Sequence, residues 1–369
     1  DLMLDIMPQA TQKYSKDKIK ELTEKYNTSI NCEVKNDFSL CFMNTINDFF
    51  NPMFDVFASV IKEPVFLVEN FNIAKTQYLY SLKSGLESPF KISDELAASL
   101  FYTAKHPYFK LKEQSIVDLE KSVFDDMSVL YQKLIKSKDF FIIVVTSLDE
   151  NNLIKSLENK FGDLQYAKNE TYNKIVLAKY DPNNYTKYEY RDLPVTYVTM
   201  YFEIPSCVSD SRIPLQFMLN ILQNRLYENI RTDKNLVYTI YVDVGFYKDV
   251  GVGKIIFSSS NWKLVLDEVY KNINLLKKSK LSIAEFDDYK VKYITYYYSS
   301  LETSSSLMQA LIRDFYYFKT FTLYDIPFKI NKLKFQEAQK VYNRFLKDFR
   351  IGILTKPPDN SPAKVNTKN

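Results

Sequence analysis

Histidine is almost missing from this chain: His106 is the only one in 369 residues. A self-contained zinc site with two His ligands is therefore excluded, as is any Ser-His-Asp arrangement that does not use His106. Glycine is scarce, with six residues where about 7% of a chain is usual. Neither G-x-G-x-x-G nor G-x-x-x-x-G-K-[ST] occurs, which removes the standard phosphate-cradling loops. Three cysteines, Cys32, Cys41 and Cys207, are too few and of the wrong parity for a disulfide scaffold. No apolar run reaches the roughly 20 residues of a membrane span, and the longest, Phe140–Val145, reads as a strand. No targeting segment is visible, so the compartment stays open between cytoplasm and periplasm. The net charge is only +4, which gives no argument for nucleic acid or an anionic membrane as partner.

What is present describes a globular protein. The apolar fraction is 46% and the charged fraction 25%, so a sizeable core is expected. The length suits two ordinary domains. Tyr and Phe, 29 and 27 residues, supply nearly all of the aromatic content and fit a compositional bias toward Tyr, Lys, Asn and Ile. Ser29–Lys35 and Phe38–Thr45 read as two strands around Asn36-Asp37. A two-residue turn there places Cys32 opposite Cys41 as a non-hydrogen-bonded pair, with Cα atoms about 4.5 Å apart. That distance permits a disulfide but does not require one.

The chain repeats itself. Tyr78-Leu79 and Leu86-Glu87-Ser88 recur as Tyr293-Ile294 and Leu301-Glu302-Thr303. Phe124 and the run Leu130–Lys136 recur as Phe335 and Val341–Lys347, and each run then enters a strand, Phe140–Thr146 and Phe349–Thr355. Between these landmarks, helices are predicted at Ile46–Ile61, ended by Pro64, and at Leu67–Leu86, Ser93–Tyr102 and Ser115–Ile135. A further helix runs from a cap at Asp149 to Phe161, with Gly162 as its stop. The second copy opens with strand Val195–Phe202 and a helix from near Pro214 to about Ile230. Strands Tyr238–Gly245 and Gly253–Ser259 follow, then three helices and the closing strand. The fold class is α+β: two tandem modules, each with helices packed on a largely antiparallel sheet. The first module spans 1–166, the polar stretch 167–187 is a linker, and the second module spans 188–369. The first module lacks the opening strand of the second, with Asp1–Met7 as the tail of its first helix. It is expected to carry an unpaired sheet edge and to belong to a longer polypeptide.

The run from Asn224 to Tyr238, NRLYENIRTDKNLVY, resembles the pitrilysin/insulinase (M16-type) zinc metallopeptidases. Their pattern is a helix ending in Leu-x-x-x-x-Arg, then x-x-x-Gly-Leu-x-Tyr entering a strand. Arg231 and Tyr238 keep the spacing. The family's Gly is Asn235 here, a residue that tolerates the φ > 0 of a helix stop. His106-Pro107-Tyr108 matches a common His-Pro-Tyr stretch of the family. At the opening, Asp1-Leu2-Met3-Leu4-Asp5 takes the place of H-x-x-E-H, followed by Ala10-Thr11 and Tyr14. The third-ligand position falls on Ser81. Both His ligands are thus Asp, the catalytic Glu is Leu4 and the third ligand is Ser. Two Asp and a Ser do not make a nitrogen-rich zinc site, and no general base remains.

The resemblance implies the metal-free half of a clamshell endopeptidase. No cofactor is expected in this half, and zinc is expected in a partner half or homologous subunit. Arg231 and Tyr238 would reach across to peptide substrate and to the oxyanion formed in the partner's active site, where donors stabilise developing charge. The alternative is an inert peptidase-like scaffold or assembly subunit, as in the core subunits of respiratory cytochrome bc complexes. A regulatory subunit of a processing peptidase would carry a Gly-rich loop, and none lies near Leu219–Leu226. The remaining polar clusters read as structural. His106 orders a loop, and Asp125-Asp126 and Asp287-Asp288 are solvated helix faces whose adjacent side chains diverge. Lys277-Lys278-Ser279-Lys280 is a solvated helix end, Tyr296-Tyr297-Tyr298 suits a helix packed on both sides, and Trp262 anchors a helix start.

Overall fold

A computed structural model describes residues 1–136, 140–164, 175–278 and 281–358. In chain order, α1 is Leu2–Ile6, α2 Lys16–Lys25, β1 Ser29–Val34, β2 Ser39–Asn44, α3 Phe50–Lys62, α4 Val68–Gly85 and α5 Pro89–Phe101. Next come α6 Lys112–Lys121, α7 Asp126–Ile135, α8 Glu150–Phe161, β3 Thr186–Tyr190, β4 Thr196–Ile204 and α9 Arg212–Leu226. The chain ends through β5 Ile240–Phe246, β6 Gly251–Ser259, α10 Trp262–Lys277, α11 Ile283–Ser299, α12 Ser304–Phe318, α13 Ile326–Lys332, α14 Phe335–Phe345 and β7 Arg350–Thr355. These elements pack as two compact units that interleave along the chain. The first unit takes 1–84, 112–173 and 300–313, and the second takes 85–111, 174–299 and 314–369. Both units mix helices with antiparallel strands, as the sequence predicts.

In the second unit the sheet order is β3-β7-β4-β6-β5, and every neighbouring pair except β3–β7 is antiparallel. β4 alternates as a strand covered on both faces. Val198, Met200, Phe202 and Ile204 enter one core with Leu215, Met218 and Leu222 of α9 and Tyr342 of α14. Tyr201 enters a smaller core with Ala97, Ala98, Phe101 and Tyr102 of α5 and its C-terminal end. The Ser93 and Thr199 hydroxyls share a hydrogen bond of 2.9 Å under α5. Gly352 makes this approach possible: a Cβ there would overlap the Ser93 carbonyl and the Ala97 amide.

The first unit is built on α3, whose Met53, Phe54, Val56, Val60 and Ile61 are buried. Phe54 meets Leu4 and Ile6 of α1, Phe71 of α4, Met127 and Tyr131 of α7, and Phe161 of α8 in one core. The Tyr131 hydroxyl donates to the Ile61 and Lys62 carbonyls at 2.9 and 2.6 Å, tying α7 to the end of α3. The Asp149 carboxylate accepts from the Asn152 amide at 3.0 Å, so the cap predicted for α8 forms. β1 and β2 pair with Cys32 opposite Cys41. The two cysteines are joined, their Cα atoms 4.0 Å apart, which closes the choice the sequence left open. A two-stranded hairpin is marginal alone, and the cross-link ties its two strands together.

Four sequence expectations need correction. Residues 140–146 alternate between half-buried and exposed as a strand would, but they join no ladder. Their counterpart β7 is flanked by β3 and β4, while no strand equivalent to β4 exists among the described residues of the first unit. Ile142 is consequently 36% exposed, whereas Ile353, its counterpart counted from Tyr131 and Tyr342, is 1% exposed. The helix predicted for 115–135 is two helices. Lys75 Nζ binds the Glu120 and Ser122 carbonyls at 2.9 and 2.8 Å, and the Asp126 carboxylate caps the Val123 amide at 3.0 Å, so the break is held by side chains. The region 167–187 ends in β3, which pairs parallel to β7, while 167–174 lies outside the described residues. The closing part of the chain holds five helices, α10 to α14, where three are predicted.

Two outcomes follow from this packing. Gly352→Ala is expected to destabilise the protein by about 1–3 kcal/mol through overpacking, seen as a lower urea midpoint with an unchanged slope. Cys32→Ser combined with Cys41→Ser is expected to cost about 2–4 kcal/mol, checked by comparing it with the oxidised parent in non-reducing denaturation.

Candidate functional site

α9 does not stop at Leu226. It widens into a π turn over Tyr227–Thr232, a distortion frequent where a helix is re-aimed for function. Ile230 and Leu226 are fully buried, so the turn is anchored from below. The Asp233 amide closes on the Glu228 carbonyl at 2.9 Å and the Leu236 amide on the Ile230 carbonyl at 3.0 Å. Asn235 takes the left-handed conformation, φ 49°, that reverses the chain into β5. The flanks are fixed as well. Ser259 Oγ donates to the Leu236 carbonyl at 2.7 Å, Val237 is buried, and Asn229 Nδ2 donates to Asn272 Oδ1 at 2.6 Å. Lys234 pairs with Glu268 at 2.5 Å, and this bond holds the Glu268 carboxyl below its ordinary pKa.

On this frame the structure brings Arg231 and Tyr238 together. Arg231 Nε donates to the Tyr238 carbonyl at 3.0 Å and Nη1 to Asn235 Oδ1 at 3.2 Å. The guanidinium carbon lies 5.7 Å from the centroid of the Tyr238 ring. The Tyr238 side chain itself is 85% exposed. Two guanidinium nitrogens thus brace the turn, and the Tyr238 phenol stands in solvent beside them. Asn235 does two jobs: it tolerates φ > 0, and its side chain accepts from Arg231. Sequence reading gives the first and misses the second, because the acceptor's reach depends on the π turn.

The residues that the sequence resemblance sets at the zinc-ligand and base positions, Asp1, Leu4, Asp5 and Ser81, lie in the first unit. Leu4 is 2% exposed and packs in the core. Asp5 accepts from the Tyr78 hydroxyl at 2.5 Å, and burial together with this bond pushes the Tyr78 pKa up. Asp1 and Ser81 are exposed. Among the described residues, no three His, Cys, Asp or Glu side chains converge on a metal position. The donor set is also wrong for zinc: one carboxylate is committed to a phenol, and an aliphatic side chain stands where a base would be needed.

The other candidates settle into structure. Asp126 caps the turn before α7, and Asp287 pairs with Lys290 at 3.1 Å. Trp262 begins α10 as expected, while Ser279-Lys280 lies outside the described residues. Tyr297 donates to the Leu323 carbonyl at 2.8 Å, but Tyr296 and Tyr298 are exposed, so α11 is packed on one side only. His106 is buried in an aromatic cluster.

The turn's backbone requirement is testable. Asn235→Ala is expected to destabilise by about 1–2 kcal/mol, the cost of a left-handed residue bearing Cβ, and Asn235→Gly by less. Chemical denaturation of both variants checks the order.

Comparison with known proteins identifies the family and the fold. Residues 122–293 match the family described as the peptidase M16 inactive domain, and residues 2–103 match insulinase (peptidase family M16). A curated relative, the non-peptidase homolog YmxG of Helicobacter pylori, is 22% identical over 100% of this chain and 84% of its own length. The structure of a protease from Helicobacter pylori superposes with a TM-score of 0.83 at 16% identity, covering 96% of this chain and 89% of that one. The periplasmic protease PqqL from Escherichia coli superposes at 0.78 and 13% identity, over 95% of this chain but only 40% of PqqL. At these identities the structures speak for the fold, and the family matches speak for descent: the chain belongs to the M16 (insulinase) peptidase family and carries its metal-free, inactive type of architecture.

Proposed function

We propose that this protein is a catalytically inert M16-type subunit that works by pairing with another half or homologous subunit. The observation that carries the reading is the state of the former zinc positions. Leu4 is sealed in the core and Asp5 is bonded to Tyr78, so neither can be recruited to a metal without dismantling α1 packing. The name of the Helicobacter relative, a non-peptidase homolog, points the same way. The duplicated modules are 1–166 and 188–369, joined through 167–187. The partner is a zinc-bearing half or a homologous chain, and the ligand held between them is a peptide. Nucleic acid is not implied by a charge of +4. Among the described residues no helix is long and apolar enough to cross a membrane. Of the two compartments the sequence leaves open, the Cys32–Cys41 disulfide favours the oxidising periplasm over the cytoplasm.

A second reading rests on one specific observation, the exposed Tyr238 phenol held up by Arg231. In it the subunit supplies Tyr238 as a hydrogen-bond donor to peptide or oxyanion at the partner's zinc, with Arg231 orienting it.

The purified chain is expected to bind no stoichiometric zinc by elemental analysis and to leave unstructured peptides intact. In a reconstituted complex with a zinc-bearing partner, Tyr238→Phe separates the two readings. Unchanged turnover supports the inert subunit, and a loss on the order of 100-fold supports the phenol as donor.

A further inference from the structure

The loop after α5, residues 102–111, closes over His106. The imidazole is 4% exposed. Its Nδ1 accepts the Tyr108 backbone N–H at 3.1 Å, so the neutral ring carries its proton on Nε2. That Nε2 is buried and has no hydrogen-bond partner. The Tyr102 ring lies 4.4 Å away and the Tyr108 ring 5.1 Å away, centroid to centroid. The loop also carries turn bonds, His106 N to the Thr103 carbonyl at 3.0 Å and Phe109 N to the His106 carbonyl at 3.1 Å, and Tyr108 and Phe109 pack beside Tyr102 and Tyr201.

We propose that His106 is an acid-sensitive latch: protonation of its imidazole opens the loop 102–111. Protonation would place an N–H on Nδ1, facing the Tyr108 N–H that now donates to it. Two donors would meet, and a cation would be confined among aromatic rings. No group nearby compensates. The packed elements offer the phenols of Tyr102 and Tyr108 and, behind them, Tyr201 of β4 and Tyr247 of the β5–β6 turn. The packed elements also carry Asp94 of α5 and Lys254 of β6, which bind each other at 2.9 Å, with Asp94 accepting from Tyr201, and Lys105 and Lys110 lie in the loop itself and Lys248 and Asp249 in the β5–β6 turn. His106 makes no ion pair among the described residues. Burial accordingly holds its pKa below the ordinary histidine value.

The sign follows from linkage. The open loop binds the proton more tightly than the closed loop. The closed state is therefore fully stable above the ordinary histidine pKa of about 6.5 and weakens as pH falls from there toward the depressed value. The window belongs to one residue, because His106 is the sole histidine. Asp163, Glu268 and Glu285 are held below their usual carboxylate range, and the α-amino group of Asp1, also lowered, lies in the first unit. The loop ends at Leu111, and the chain passes from the second unit to the first at Lys112.

Amide hydrogen exchange across 102–111, corrected for intrinsic rates, tests this at about pH 7.5 and about pH 5. The parent is expected to lose at least about tenfold in protection on acidification. His106→Gln, which keeps an acceptor for the Tyr108 amide and cannot titrate, is expected to stay protected at both pH values. Equal protection of the parent at both pH values overturns the latch, as does an identical acid loss in His106→Gln. Should that variant fail to fold, the NMR titration of the parent's single imidazole decides: a midpoint below 6.5 that coincides with loop opening supports the proposal, and one at or above it overturns it.

Discussion

Strand β4 is covered on both faces, and the second unit is arranged around that constraint. A strand open to solvent on one side needs one apolar face, but β4 needs two, and it finds them in α9 on one side and α5 on the other. The second contact is close enough to require glycine at 352. Because α9 is fixed along most of its length by Leu215, Phe217, Leu219, Ile221 and Leu222, the π turn at its end has a defined place to stand. The brace from Arg231 to the Tyr238 carbonyl then orients a phenol against an immobile base. Any contribution of Tyr238 to a neighbouring chain depends on that rigidity, since a donor must be held in place before it stabilises charge.

In the first unit, α1 is given over to packing. A zinc site imposes charged and polar side chains on a helix that the core would rather fill with hydrocarbon. Here that conflict has been resolved in favour of packing: Leu2, Met3, Leu4 and Ile6 are buried, and Asp5 is satisfied by Tyr78. The same unit is short of a strand beside 140–146, and its hairpin is reinforced by a disulfide. These features fit a subunit selected for shape and association.

A cluster of polar groups lies on the α5 side of the second unit's sheet. Tyr201, Tyr102, His106, Asp94 and Lys254 lie there, and burial drives the phenol pKa values of Tyr102 and Tyr201 up. Asp94, Lys254 and Tyr201 satisfy one another, whereas the imidazole Nε2 does not find a partner. An unsatisfied buried donor costs stability while the loop is closed and not once it opens to water, so the closed conformation is held by less than the surrounding packing offers.

Much of this was legible in the sequence where the signal is local. Hairpin register follows from a two-residue turn, which is why Cys32 meets Cys41 as predicted. Caps such as Asp149 and stops such as Asn235 depend on the backbone of their own neighbours. The missing zinc ligands could be read at once from residue type, because no packing turns Leu4 into a base. That 140–146 stays outside any ladder was not legible, since a strand needs a partner and none stands beside it among the described residues of the first unit. Nor was β3, whose hydrogen bonds go to β7, more than 150 residues away. The membership of α5 in the second unit and the bond from Asn235 to Arg231 were likewise settled by distance in space. Sequence fixes what a side chain can do and how its own turn is capped. Tertiary structure decides which groups share a dielectric and which are left without a partner, because burial and long-range pairing are properties of the whole packed chain.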